Sequence, residues 1–216
     1  MLDLAFNLPR NRPLQVLAIG AHSDDIEIGC AGTLMRWAAE RPIAVNWVVL
    51  AASGPRAAEA RRSAKLVLRQ ARSHEVHLGG FRDGFLPAQW AEVKQFYESL
   101  KRLPAPDVIF THEPRDLHQD HRIACELTWN TFRDHVILEY EIPKYDGGLG
   151  APSTYVPVSR RLVDRKCKQL ARAFVSQRGK PWFTDETFRG LMRVRGIECN
   201  AADGFAEAFY ARKIRL

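Results

Sequence analysis

Two short segments gather the side chains that could carry chemistry. AIGAHSDDIEIGCAGTL, Ala18 to Leu34, ends an apolar run with His22, Asp24 and Asp25. HEPRDLHQDHR, His112 to Arg122, follows a second apolar run and crowds His118, Asp120 and His121 into four positions. Imidazole with carboxylate is the donor chemistry of a catalytic zinc or similar divalent ion, which takes three protein ligands and keeps a position open for water. His22, Asp25 and His121 would make such a set. A metal of this kind lowers the pKa of its water from ~15.7 towards ~7. Asp24 could then take the water's proton, and His118 could polarise a carbonyl or protonate a leaving amine, with Asp120 fixing its tautomer. The competing reading makes Asp24 or Asp25 an N-cap of the helix that follows. A second His/Asp cluster at a matching position favours a site.

These residues need a scaffold, and the chain alternates strand and helix signals. Val16–Ala21, Ala44–Ala51, Glu75–Leu78, Asp107–Thr111 and Val136–Tyr140 read as buried strands. Cys30–Glu40, Arg56–Arg72, Gln89–Arg102, Ile123–Arg133 and Ser159–Gln177 read as helices, with Ser159 as a cap. Arg82–Pro87 and Pro143–Pro152 read as loops. Alternation of this kind predicts a doubly wound α/β domain, with a mainly parallel sheet and helices on both faces. Ligands sit beyond the carboxyl ends of such strands, where both clusters fall. The strand ends Val16–Ala21 and Asp107–Thr111 can be neighbours. The length, 216 residues with 46% hydrophobic, suits one domain with a full core.

Ala21-His22-Ser23-Asp24-Asp25 and His118-Gln119-Asp120-His121 resemble the AHPDD-type and HxDH motifs of the PIG-L/LmbE family of zinc-dependent N-deacetylases. Softer similarity covers Gly54–Ala64, with Arg56 and Glu59, and Leu78–Leu86, with Asp83 and Gly84; Ala206–Phe209 resembles the family's C-terminal segment. The resemblance implies a Rossmann-like, LmbE-like domain over residues 1–216. It implies zinc, with Fe2+ as another acceptable metal, on His22, Asp25 and His121. Asp24 becomes the general base, and His118 the polarising or donating residue supported by Asp120. Arg56 and Asp83 become candidates for substrate hydroxyls. The implied substrate is an N-acetylated amino sugar or its conjugate, with a non-sugar amide or mere metal or carbohydrate binding as alternatives. Ser23 stands where the family has Pro, which loses backbone rigidity. Ala31 replaces a common glycine.

Other residues stay open between site and structure. His112 lines the pocket or makes a structural hydrogen bond. Asp116 serves the site, holds its loop or caps a helix. Glu141, in a loop with Lys144, binds a sugar or forms an ion pair. Trp37, Trp47 and Trp129 read as core, whereas Trp182 is a stacking candidate in a lid-like segment.

The formal charge is +7, with basic clusters at Arg56–Arg72 and Arg160–Arg172. Both clusters read as helical, where a charge run is by default a solvated face. The surplus suits an anionic substrate, phosphate- or nucleotide-linked, but also other partners. No basic–aromatic repeat or zinc finger points to nucleic acid. No apolar run approaches the ~18–20 residues of a membrane span. The N-terminal stretch MLDLAFNLPRNRPLQ has no leader pattern. The four scattered cysteines suit a reducing cytoplasm.

Overall fold

A computed structural model of the chain describes residues 5–9 and 11–215. The first four residues and Arg10 of the stretch read for a leader lie outside the described residues. Five parallel strands form the body of one sheet: β1 (Leu14–Gly20), β2 (Ile43–Val49), β3 (Ser73–Leu78), β4 (Val108–His112) and β5 (Val136–Tyr140). β6 (Thr154–Pro157) and β7 (Ala206–Ala211) extend it, β7 antiparallel to both β5 and β6. The strand order is β3-β2-β1-β4-β5-β7-β6.

The central strands are apolar on both faces because helices cover both. On β1, Val16 and Ala18 join a layer with α1 (Asp25–Glu40), α2 (Gly54–Val67), α5 (Arg160–Ala173) and α6 (Asp185–Glu198). Leu17 and Ile19 join the opposite layer, with α3 (Trp90–Leu100) and α4 (Gln119–Thr131). β1 pairs with β2 on one side and β4 on the other, so the chain reverses its winding between β1 and β4. Their following helices leave to opposite faces and open a crevice between the two strand ends.

Several elements differ from the sequence reading. α1 starts at Asp25 rather than Cys30, because Asp25 and Glu27 in its first turn suit the positive end of the helix dipole. α2 ends at Val67, not Arg72, and β3 starts at Ser73. The Ser159–Gln177 segment is α5 and then a separate 3₁₀ turn, Val175–Gln177. Ser159 occupies the N-cap position without a side-chain cap; its carbonyl accepts from Leu162 and Val163. β6, β7 and α6 went unread. β7 hid because Glu207 sits inside it, fully buried, a charge that argues against a strand until its partners are known.

Candidate active site

Glycine lets α1 pack as closely as it does on β5. A Cβ on Gly29 would lie 2.3 Å from the ring of Tyr140, so only glycine lets the helix approach β5. Tyr140 in turn donates its hydroxyl to the Ile19 carbonyl at 2.6 Å, tying β5 to β1. Asp24 holds the N-cap position of α1, yet its side chain makes no cap hydrogen bond. Capping is therefore not what its carboxylate does.

His22, Asp25 and His121 converge. His22 Nδ1 lies 3.2 Å from His121 Nε2 and 3.5 Å from Asp25 Oδ2, and His121 Nε2 lies 3.6 Å from Asp25 Oδ1. The outer sides of both imidazoles face acids. His121 Nδ1 donates to Asp116 Oδ2 at 2.9 Å. His22 Nε2 lies 3.2 Å from Asp120 Oδ2 and 3.1 Å from Asp83 Oδ1. With protons on those outer nitrogens, two imidazole lone pairs and a carboxylate point at one another. Such a convergence demands a cation. Among the described residues, His22, His118 and His121 form one group close enough to share an ion, and Asp25, His112 and His121 form another. Imidazole with carboxylate is donor chemistry that suits a divalent ion. A proton is the other cation that can serve. Burial resists it on His22, but Asp120 and Asp25 outweigh burial and raise the His22 pKa well above its usual value. Burial and the neighbouring His112 push His121 down to about 3. Burial also opposes charge on Asp25, yet His121 and His112 hold its carboxyl well below the usual range.

Asp24 lies beside this set. Arg56 Nη2 donates to its Oδ1 at 2.9 Å, and Arg56 Nη1 donates to Asp83 Oδ2 at 3.1 Å. Burial and the Asp25 charge raise Asp24 to about 6. That is the range in which a carboxylate can both take and return a proton.

Asp120 departs from its expected role. Its carboxylate accepts from the Gly84 and Leu86 backbones, at 2.7 and 3.1 Å, and reaches His22 rather than His118. His118 keeps a fixed tautomer by another route: its Nδ1 accepts the Asp120 backbone N–H at 3.2 Å, leaving the proton on Nε2. Burial and the His22 charge lower the His118 pKa, which favours the neutral ring. Asp83 likewise touches His22 and Arg56 in addition to facing solvent.

The open residues resolve into supports. His112 is fully buried, stacks on His121 at 3.9 Å and approaches Asp25 Oδ2 at 3.1 Å, and Ala21 N–H donates to its Nε2 at 3.0 Å. Asp116 orients His121, accepts the His118 N–H, and receives Lys144 Nζ on both oxygens at 2.7 Å. Glu141 is a structural ion pair: Arg195 grips both its oxygens, at 3.0 and 2.8 Å. Trp182 is half-buried, packed against the core and set edge-on to Phe183. Trp47 is fully buried, while Trp37 and Trp129 are half-buried against the core. Glu27 passed unremarked in the sequence; it is buried close to Ser63, and burial raises its pKa well above the usual carboxylate range. Its place in the first motif, two residues past Asp25, was the available signal.

A cleft of about 510 Å³ opens beside these residues, lined by Ser53, Arg56, Arg82, Asp83 and Gln89. A doubly wound sheet with a buried His/Asp cluster of metal-binding type at its switch point is the class of protein that the fold and site define. Residues 17–132 match the family model described as PIG-L, GlcNAc-PI de-N-acetylase, and the chain belongs to that family of deacetylases. A relative, the uncharacterized deacetylase YaiS of Escherichia coli K12, is 31% identical over 157 residues, which are 66% of this chain and 82% of the relative. The N,N′-diacetylchitobiose deacetylase of Pyrococcus horikoshii shares the fold with a TM-score of 0.74 at 20% identity, over 95% of this chain and 87% of that one. GalB, the 4-carboxy-2-hydroxymuconate hydratase of Pseudomonas putida KT2440, shares it with a TM-score of 0.73 at 16% identity, over 94% and 97%. A fold found in both a deacetylase and a hydratase leaves the reaction to be argued from the site.

Proposed function

We propose that this chain is a divalent-metal hydrolase that removes an N-acetyl group from an amino sugar or its conjugate. The convergence of His22 Nδ1, His121 Nε2 and the Asp25 carboxylate, with Asp24 alongside, is the observation that carries the reading. Zinc suits this donor set, and Fe2+ does too. When bound, the ion supplies a Lewis acid and an acidified water. Asp24, held at Oδ1 by Arg56, takes the proton as water adds to the amide carbonyl. His118 donates Nε2–H to the oxyanion of the tetrahedral intermediate. The C–N bond then breaks, Asp24 returns its proton to the amine, and acetate and a free amino sugar leave. Arg56 and Asp83 line the cleft, where sugar hydroxyls can share their mutual hydrogen bond. Arg82, stacked on Phe85 at 3.6 Å, lines the same cleft and suits a phosphate or carboxylate on the substrate. We take residues 1–216 as one catalytic domain working in the cytoplasm, where its four free cysteines stay reduced.

The test is acetate release from a panel of N-acetylhexosamines, free, phosphorylated and nucleotide-linked. The metal-loaded protein is run beside Asp24→Asn at matched metal content. Release that falls by about 10²–10⁴ in the variant supports the reaction. No release from any member with metal bound, or equal release by the variant, refutes it.

A further inference from the structure

The two basic clusters are about a hundred residues apart in sequence and side by side in the fold. Arg56–Arg72 and Arg160–Arg172 together hold twelve Lys and Arg against two acids, a surplus of ten that exceeds the +7 of the whole chain. The remainder of the protein is therefore net acidic; of the twelve cations, Arg56 is paired with Asp24 and Asp83 in the cleft and Lys166 is buried against Glu207. α2 and α5 lie antiparallel: Arg62 Nη2 donates to the Ala173 carbonyl at 2.8 Å, and Arg165 Nη2 to the Leu66 carbonyl at 2.9 Å.

Each helix presents a stripe. On α2, Arg62 and Lys65 lie at helical spacing, Arg69 follows in the turn after the helix, and all three are exposed. On α5, Arg161, Arg165, Lys168 and Arg172 do the same, with only Arg165 half-buried. The two acids within the clusters are engaged elsewhere. Glu59 is buried and accepts from the Ser176 backbone and hydroxyl, and Asp164 pairs with Arg189. Among the described residues, no carboxylate lies within ion-pair distance of any of the seven cations. Their crowding is felt: burial and the charges of Arg69 and Arg161 lower the pKa of Arg165.

We propose that the α2–α5 face docks this protein on the surface of an anionic lipid bilayer. Clusters of this size are what a negatively charged leaflet attracts. The face is two helices wide and about 21 Å long, a flat patch rather than a single projecting helix. Leu66 and Val175 stand exposed at 40% and 52% beside the cations, apolar groups able to enter the headgroup boundary. A duplex groove is read by one projecting helix or ribbon, and single strands are held on aromatic platforms; neither cluster contains an aromatic residue. The face also begins beside the cleft, since Arg56 in the first turn of α2 lines the cleft and the 3₁₀ turn after α5 is bonded to Glu59.

The experiment is co-sedimentation of the full chain with vesicles of phosphatidylcholine, alone or with about 30% phosphatidylserine. Binding to the anionic vesicles alone, abolished by about 0.5 M salt, is expected. Lys65→Glu, Arg69→Glu, Lys168→Glu and Arg172→Glu combined should weaken it at least about tenfold while the thermal midpoint holds. The same four positions changed to Gln should weaken it less. Equal binding to neutral vesicles, no binding at low salt, undiminished binding by the folded variants, or tighter binding to duplex RNA or DNA at the same salt would each overturn the proposal.

Discussion

The cleft at the ends of β1 and β4 and the face made by α2 and α5 are both crowded with ionisable side chains, and they handle them in opposite ways. In the cleft, acids and imidazoles interlock: Asp116 holds His121, Asp120 holds His22, and Arg56 holds Asp24. On the face, like charges stand next to each other, and their hydrogen bonds go to backbone carbonyls and to the Gln70 side chain. Helix α5 contains the contrast within two residues. Lys166 points inward, 2% exposed, and donates to Glu207 and to the Ile28 carbonyl, both at 2.6 Å. Lys168 is exposed, and among the described residues no carboxylate lies within ion-pair distance of it. Charge that must leave water needs partners. Charge that stays in water can remain single and be used for attraction at a distance.

The largest expected effect on stability follows from the buried side. Lys166→Met should cost about 3–5 kcal/mol, because it strands Glu207 inside the protein. Among the described residues, Glu207 then keeps the Gly32 and Thr33 backbone donors, at 2.8 and 2.7 Å. Denaturant unfolding measures this, and a loss below about 1 kcal/mol would mean the pair contributes no more than a surface one. Next comes the support of the metal set. Asp116→Asn should lower divalent-metal affinity about 10–100-fold by loosening the His121 ring, read by metal titration. An unchanged affinity would make Asp116 a loop clasp for Lys144 alone. The smallest effect belongs to the open face. Lys168→Ala should shift stability by less than about 0.5 kcal/mol, and a larger loss would show that the face is part of the fold's own packing.

Much of this was legible in the sequence where chemistry is local. The His22–Asp25 and His118–His121 groups each sit at the end of an apolar run, and neighbouring parallel strands bring those ends together. What depended on distant partners was not legible. Asp120 reads as the partner of His118, two positions away; its carboxylate instead meets His22, ninety-eight positions away, and supports His118 only through its backbone. β7 reads poorly because Glu207 interrupts it, and the compensating Lys166 lies forty-one residues earlier. The basic clusters read separately as solvated helix faces, and only the antiparallel packing of α2 on α5 makes them one surface.

The central claim is that three lone-pair groups converge on one cation. Titration of the metal-free protein with Co2+, followed by its visible absorption, tests this most directly. One equivalent should bind to the wild type and to Asp24→Asn, and the signal should be lost in His121→Ala with the fold intact. Absence of binding by the wild type, or full binding by His121→Ala, would contradict the assignment.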